Sequence, residues 1–373
     1  MYSIQHARLL LILAIFATPM KCLHAEGSHA NLVSIDAREF GLDSESPDNA
    51  DALRKSIEAA KEKGVGVVIV GSNRPYKVKG DIVLSGNFAM LAGAGGNAHL
   101  EFINSKLIIG EVGEKFRGQV LRDLVLSKSQ GSGPVILVKT TRKARHSRFT
   151  WDNIHITNSS GDGVEFQGSF LGAITGLWIT KCNGTGITFL PGNERDSNAA
   201  GANSIGFFGG EVQSCDWGIE ATDTKSITFN AFAIEGNRMG GIWMHGDNRA
   251  FTFSGGYFEN NAKSKKKPAN KNSGNFDVVI GDPSWKGQPN RNIYFNNNFF
   301  SDGRVQHKSA VLIEPNQKNI VFNSPVFWAY GAHPIALSGG KSNGSSGQVI
   351  NGSNERPDDK SVNILSDNLS SWR

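Results

Sequence analysis

The chain has 373 residues, 39% of them hydrophobic, with 44 glycines, 22 phenylalanines and a net charge of +5. That apolar fraction supports a continuous core and is too low for a membrane protein. Gly and Asn with Phe, Ile and Val suit many short strands between turns, not a helical bundle.

In chain order, the first signal is a leader. His6 and Arg8 precede an apolar run from Leu9 to Ala17, and Leu23-His24-Ala25 offers a small-residue cleavage site before Glu26. Residues 1–25 therefore read as a signal peptide, too short to span a bilayer, and the mature chain as secreted or periplasmic with no membrane span. Residues 46–64 read as a helix, with Ser46 as N-cap, Pro47 in the first turn, Gly64 as the stop, and Leu53, Ile57 and Ala60 as its apolar stripe. Gly66–Val70 then reads as a buried strand, followed by short strands near Tyr76–Val78, Ile82–Leu84 and Ala89–Ala92.

From about Val120 to Leu337 one pattern recurs about every 23 or 24 residues: a short apolar strand, a Gly/Asn turn, Gly, and a second strand. Such a period predicts stacked coils, each burying its apolar side against the next. One strand column holds Val164, Ile187, Ile219, Ile242, Val278 and Val311. A second holds Ile154, Leu177, Ile227, Phe251, Ile293 and Ile320. Asn158, Asn237 and Asn260 fall at turns and predict a side-chain amide ladder. Insertions at Pro191–Asn203, Ala262–Asn275 and Asp282–Arg291 should emerge as loops. The Ser/Gly/Asn-rich stretch 338–373 reads as a loose tail or thin cap.

The opening stretch, from IDAREFG through the helix to GVVIVGSNRPYKVKGDIVL and LAGAGG, resembles that of pectate-lyase-like proteins. The resemblance covers roughly residues 33–337 and implies an all-β, right-handed parallel β-helix with an N-terminal capping helix, a single domain over 26–337. It implies a carbohydrate-active protein acting on a polysaccharide, as a lyase, hydrolase or epimerase, or a binding module without catalysis. Gly161-Asp162-Gly163 resembles the first motif of the polygalacturonase branch. The later equivalents, Asn183-Gly184-Thr185-Gly186 and Cys215-Asp216-Trp217-Gly218, lack the Asp-Asp and Gly-His-Gly of that branch. The Asp-Pro-His of alginate epimerases and the Arg-x-Pro-x-x-Arg of pectate lyases are missing too, so no branch's mechanism transfers.

Three constellations could carry chemistry. Glu211, Glu235 and Glu259 are each 24 residues apart; in register they would stack about 4.8 Å apart. That spacing suits a retaining carboxylate pair or Ca²⁺, or else structural turn residues. Alternation places Glu165, Thr188, Glu220, Trp243 and His245 outward, a candidate sugar-binding strip or a partly covered surface. Asp162 and Asp216 precede the same strand two coils apart, roughly 10 Å, near an inverting separation, though Asp is also common in such turns. For elimination, His155, His245 and Tyr257 are candidate bases.

Two basic segments, Lys139–Arg148 with Arg145 and Ala262–Lys271 with Lys265 and Lys266, could hold an anionic polymer or simply be solvated. Neither interleaves aromatics, which disfavours nucleic acid. Cys182 and Cys215 fall at equivalent places, as a disulfide or a stack of small buried residues. No nucleotide, zinc or nucleophile-elbow motif is present. The sequence does not set the oligomeric state.

Overall fold

A computed structural model describes residues 34–362, apart from 88, 111–115, 140–145, 192–200, 263–275, 303–308, 329, 331–333, 339–344, 351–352 and 357–358. The proposed signal peptide and Arg145, Lys265 and Lys266 lie outside the described residues.

Alternating apolar residues build a parallel β-helix. Ten parallel strands, from Ile82–Leu84 to Ile335–Leu337, form the first face. Its core column runs in register through Ile136, Val164, Ile187, Ile219, Ile242, Val278 and Val311, as the repeat predicts. A larger parallel sheet wraps the other sides. Its strands His146–Ser159, Phe170–Cys182 and Asn203–Gln213 each bend round a corner and serve two faces. In later coils the same path splits into two strands, such as Lys225–Asn230 and Ala233–Glu235.

This bending corrects the second predicted column. Ile227 and Phe251 continue the row of Ile205, on the second face. Ile154 and Leu177 instead pair on to Gly210, and Ile156 and Ile179, two residues along, continue into Val212, Ile234 and Phe258 on the third face. One apolar, alternating sequence fits either leg of a bent strand, so periodicity alone cannot separate them.

Inside, the second face stacks Phe207, Phe229, Phe253, Phe295 and Phe322, with successive centroids 4.5, 5.2, 5.0 and 4.7 Å apart. The third face stacks Phe258, Phe300 and Phe327 at 4.6 and 4.9 Å. Corners use a left-handed residue in coil after coil, including Asn153, Ala231 and Asn297 at one corner and Asn158, Ser214 and Asn260 at the next. The buried amide ladder runs through neighbouring positions. Asn237 Nδ2 donates to Asn261 Oδ1 (2.8 Å), and Asn261 Nδ2 to Asp277 Oδ1 (2.9 Å). A second ladder joins Asn248, Asn290 and Gln317. Asn237 was expected; Asn158 and Asn260 instead take the corner conformation one position away.

The N-terminal helix α1 spans Ala50–Lys63 and buries Leu53, Ile57 and Ala60 against the first coils. It starts later than predicted. Asn49 is the N-cap, and its side chain accepts from Asp43 N and donates to Lys77 O instead of capping. Gly64 ends the helix at φ 65°. At the other end, stacking continues past Leu337: Gly347–Ile350 pairs with Lys318–Asn323, and Ser353–Arg356 with Val326–Trp328. None of the described helices is long and apolar enough to cross a membrane.

Gly210 (φ +118°) lets the chain bend beside Leu177, where an added Cβ would lie 2.3 Å from the Leu177 carbonyl oxygen. Gly210→Ala should destabilise the fold by more than about 1 kcal/mol. An unchanged denaturation midpoint would refute that account of the corner.

Candidate active site

On the first face, residues alternating with the core column point outward. Glu165, Thr188, Glu220 and Trp243 form one row, and Thr222 and His245 pair beside it. Asp162 sits in the Gly161–Gly163 turn that feeds this sheet. The turn is tight: a Cβ on Gly163 would lie 2.5 Å from the Gly186 carbonyl oxygen. Asp162 Oδ1 accepts the Thr185 backbone N–H at 2.7 Å, tying it to the next coil. The Thr185 hydroxyl donates to Glu220 Oε2 (3.4 Å), and His245 Nε2 lies 2.9 Å from Glu220 Oε1. Thr222 Oγ1 contacts the same imidazole at 3.1 Å.

Asp162, Glu220 and His245, expected from separate arguments, thus converge through Thr185. Glu220 and His245 side chains are only 23% and 19% exposed, so their contact is shielded from water. Burial raises the Asp162 carboxyl pKa, and the charges of Glu220 and Asp216 add to the rise. Burial likewise raises Glu165, with Asp162 adding to it, while Gln167 hydrogen-bonds to Glu165. Asp216 is engaged otherwise: Arg238 Nε holds it at 2.7 Å, and the same guanidinium donates to the carbonyls of Ser214 and Cys182. The Asp162–Asp216 pair is therefore not two free carboxyls; Asp216 anchors Arg238 across coils.

Raised carboxyl pKa values mean that the folded chain favours the protonated forms. Their contribution to stability is present at low pH. It is lost as pH rises from the ordinary carboxylate range through the raised values. Asp162→Asn and Glu165→Gln should each flatten that decline in denaturant titrations at stepped pH; an unchanged pH slope would count against the assignment.

Trp243 is half-buried, not an open platform. Its ring packs on Trp217 (5.6 Å) and His245 (4.2 Å), and its Nε1 is buried with no hydrogen-bond partner among the described residues. Further along the row, Val279 and Leu312 are 0% and 5% exposed and join Trp217 in a satellite apolar cluster. The outward row thus turns from polar to apolar at Trp243, and the ring makes the boundary wall of the carboxylate–imidazole cluster.

The predicted Glu211–Glu235–Glu259 column does not form. Glu235 and Glu259 are in register, but Glu211 pairs with Ala233, two residues from Glu235. The coil between Glu211 and Ala233 is two residues shorter than the next, so equal sequence spacing misses the register. Glu211 instead shares a row on the third face with His155, Trp178, Ala233, Tyr257 and Phe299. Burial raises the Glu211 carboxyl pKa, helped by Glu235. The Tyr257 hydroxyl lies 3.4 Å from Glu235 Oε2, and burial, then Glu235 and Glu211, raise its pKa. Trp178 and Phe299 were not singled out in the sequence; their alternation with Leu177 and Phe300 was the available signal.

No three His, Cys, Asp or Glu side chains among the described residues converge to hold a metal ion. Cys182 and Cys215 are buried, unbonded neighbours, and a hydrogen bond from one thiol to the other holds the Cys182 pKa well up.

The sequence matches no family model and no curated protein. Solved structures match it by fold. The Agl-KA catalytic domain has a TM-score of 0.61 at 15% identity, over 86% of this chain and 65% of that one. The A-module of Azotobacter vinelandii mannuronan C-5 epimerase AlgE4 gives 0.53 at 13% identity, over 84% of this chain and 100% of that one. PfbA, a surface adhesin of Streptococcus pneumoniae, gives 0.59 at 11% identity, over 90% and 96%. The structural neighbours are right-handed, pectate-lyase-like parallel β-helix proteins. This chain has the right-handed parallel β-helix fold. It spans less than two thirds of the Agl-KA catalytic domain. Within this β-helix, the first face carries the half-buried Asp162–Glu220–His245 cluster, and the third face carries the more exposed aromatic and glutamate row.

Proposed function

We propose that this protein cleaves a polysaccharide at the first face, by hydrolysis between Asp162 and Glu220. The observation that carries this reading is the shielded Glu220–His245 contact beside an Asp162 carboxyl whose pKa is raised. Two carboxyls in unlike environments divide into an acid and a base. Asp162, whose pKa burial raises, takes the acid role and would donate to the leaving glycosidic oxygen. Glu220 is the partner that activates water or attacks the sugar, and His245 and Thr185 fix its two oxygens. Trp243 bounds the sugar on one side.

Two further features support this face. In the chain, 140–145 and 192–200 follow strands of this sheet, and 263–275 and 303–308 precede others. Two of these segments overlap the basic stretches containing Arg145, Lys265 and Lys266, which supports an acidic polymer as substrate. The likeness to the mannuronan epimerase module supports a carbohydrate role at the level of fold. The reading includes export of the chain by the leader at 1–25.

The test is incubation with a panel of uronate-containing and neutral polysaccharides. New reducing ends without ultraviolet absorbance from an unsaturated uronate support hydrolysis. Absorbance replaces it with elimination. Binding with neither product leaves a glycan-binding module and sinks the enzyme reading.

A further inference from the structure

We propose that the third face is a second, non-catalytic binding surface for a neutral glycan, anchored in a cleft at one end. The cleft has a volume of about 260 Å³, and its lining includes Gly95, Gly96, Asn97, Asp123, Asn153 and His155. Its side chains are wired together. Asn153 Nδ2 donates to Asp123 Oδ1 (2.8 Å), and Asn153 Oδ1 lies 3.0 Å from His155 Nε2. This chain fixes the imidazole so that Nε2 donates and Nδ1 remains an acceptor. The ring of His155 then stacks on Trp178 at 6.1 Å and 28°.

From Trp178 the row continues outside the sheet through Glu211, Ala233, Tyr257 and Phe299 at about 4.8 Å per coil. Trp178, Tyr257 and Phe299 are 39%, 37% and 40% exposed, large rings left in water along the row that starts at the cleft. Rings offer flat apolar faces to the C–H side of pyranoses. Glu211, Glu235 and the cleft amides accept from sugar hydroxyls between them. Glu211, Glu235 and Glu259 also give the surface a negative potential, which repels an anionic polymer and selects a neutral one. The surface lies on a different face from Asp162, Glu220 and His245, so it stands whether or not that cluster is catalytic.

Affinity electrophoresis of the full chain through gels containing pullulan, laminarin or galactomannan tests this. At least one neutral polymer should retard the protein. Trp178→Ala and Tyr257→Ala should each weaken that retardation about tenfold, as expected for truncating an aromatic anchor. Gly96→Phe offers an independent probe. A Cβ there meets no heavy atom within 4 Å, so the ring can occupy the cleft without displacing the backbone. It should weaken binding while leaving the thermal midpoint unchanged. Glu220→Gln should bind like the parent. No retardation by any of these polymers overturns the proposal. So does retardation that survives all the third-face variants, or that is lost in Glu220→Gln.

Discussion

Glu220→Gln should lower turnover of the cleaved polysaccharide by about 100-fold or more, the usual weight of a positioned proton-transfer group. Gln is isosteric and can keep hydrogen bonds to Thr185 and His245, so the fold and KM should change little. Turnover separates this site from the third face, because Glu235→Gln alters a carboxylate on a different sheet surface and should leave kcat near the parent value. Steady-state kinetics with a thermal-melt control decides between them. If Glu220→Gln turns over normally while Glu235→Gln does not, the chemistry belongs to the Glu211–Glu235–Tyr257 group instead.

Phe253→Ala should give the largest loss of stability, about 3–5 kcal/mol. Its ring lies between Phe229 and Phe295 at 5.2 and 5.0 Å, nearly parallel to both. Truncation removes burial and two stacking contacts and leaves a cavity that the neighbouring coils cannot close, since the ladder of backbone hydrogen bonds fixes their spacing. In a solenoid the loss also weakens coupling between the coils on either side. Urea denaturation should therefore show a lower midpoint and a broader or divided transition. A shift below about 1 kcal/mol would mean that the site collapses freely.

The fold was legible because its main signal is local. Val164, Ile187, Ile219 and Ile242 recur at strand alternation, and parallel stacking needs no more than that. What depended on coil length was not legible. Glu211 misses the glutamate column because its coil to Ala233 is two residues shorter than the next. The ladder residue Asn261 sits beside the expected Asn260 because a corner needs a left-handed residue and a ladder needs an inward amide, and Asn suits both. The first-face cluster was half legible. Alternation gave Glu220, Trp243 and His245, but the Arg238 clamp on Asp216 joins positions 22 residues apart through side chains. Thr185 was also missed as a link, since a threonine in a Gly-rich turn carries no catalytic signature.

The two ends of the solenoid are unlike, and this bears on self-assembly. A parallel stack offers at each end an open strand edge that could template another copy, head to tail, into a fibre. Here α1 packs against the first coils, while at the other end Asp359–Val362 pairs antiparallel with Ser353–Arg356, the one reversal among the described pairings. On the third face, an incoming strand would meet one running the wrong way for continued parallel winding. Among the described residues, this antiparallel pair closes the parallel stack on the third face.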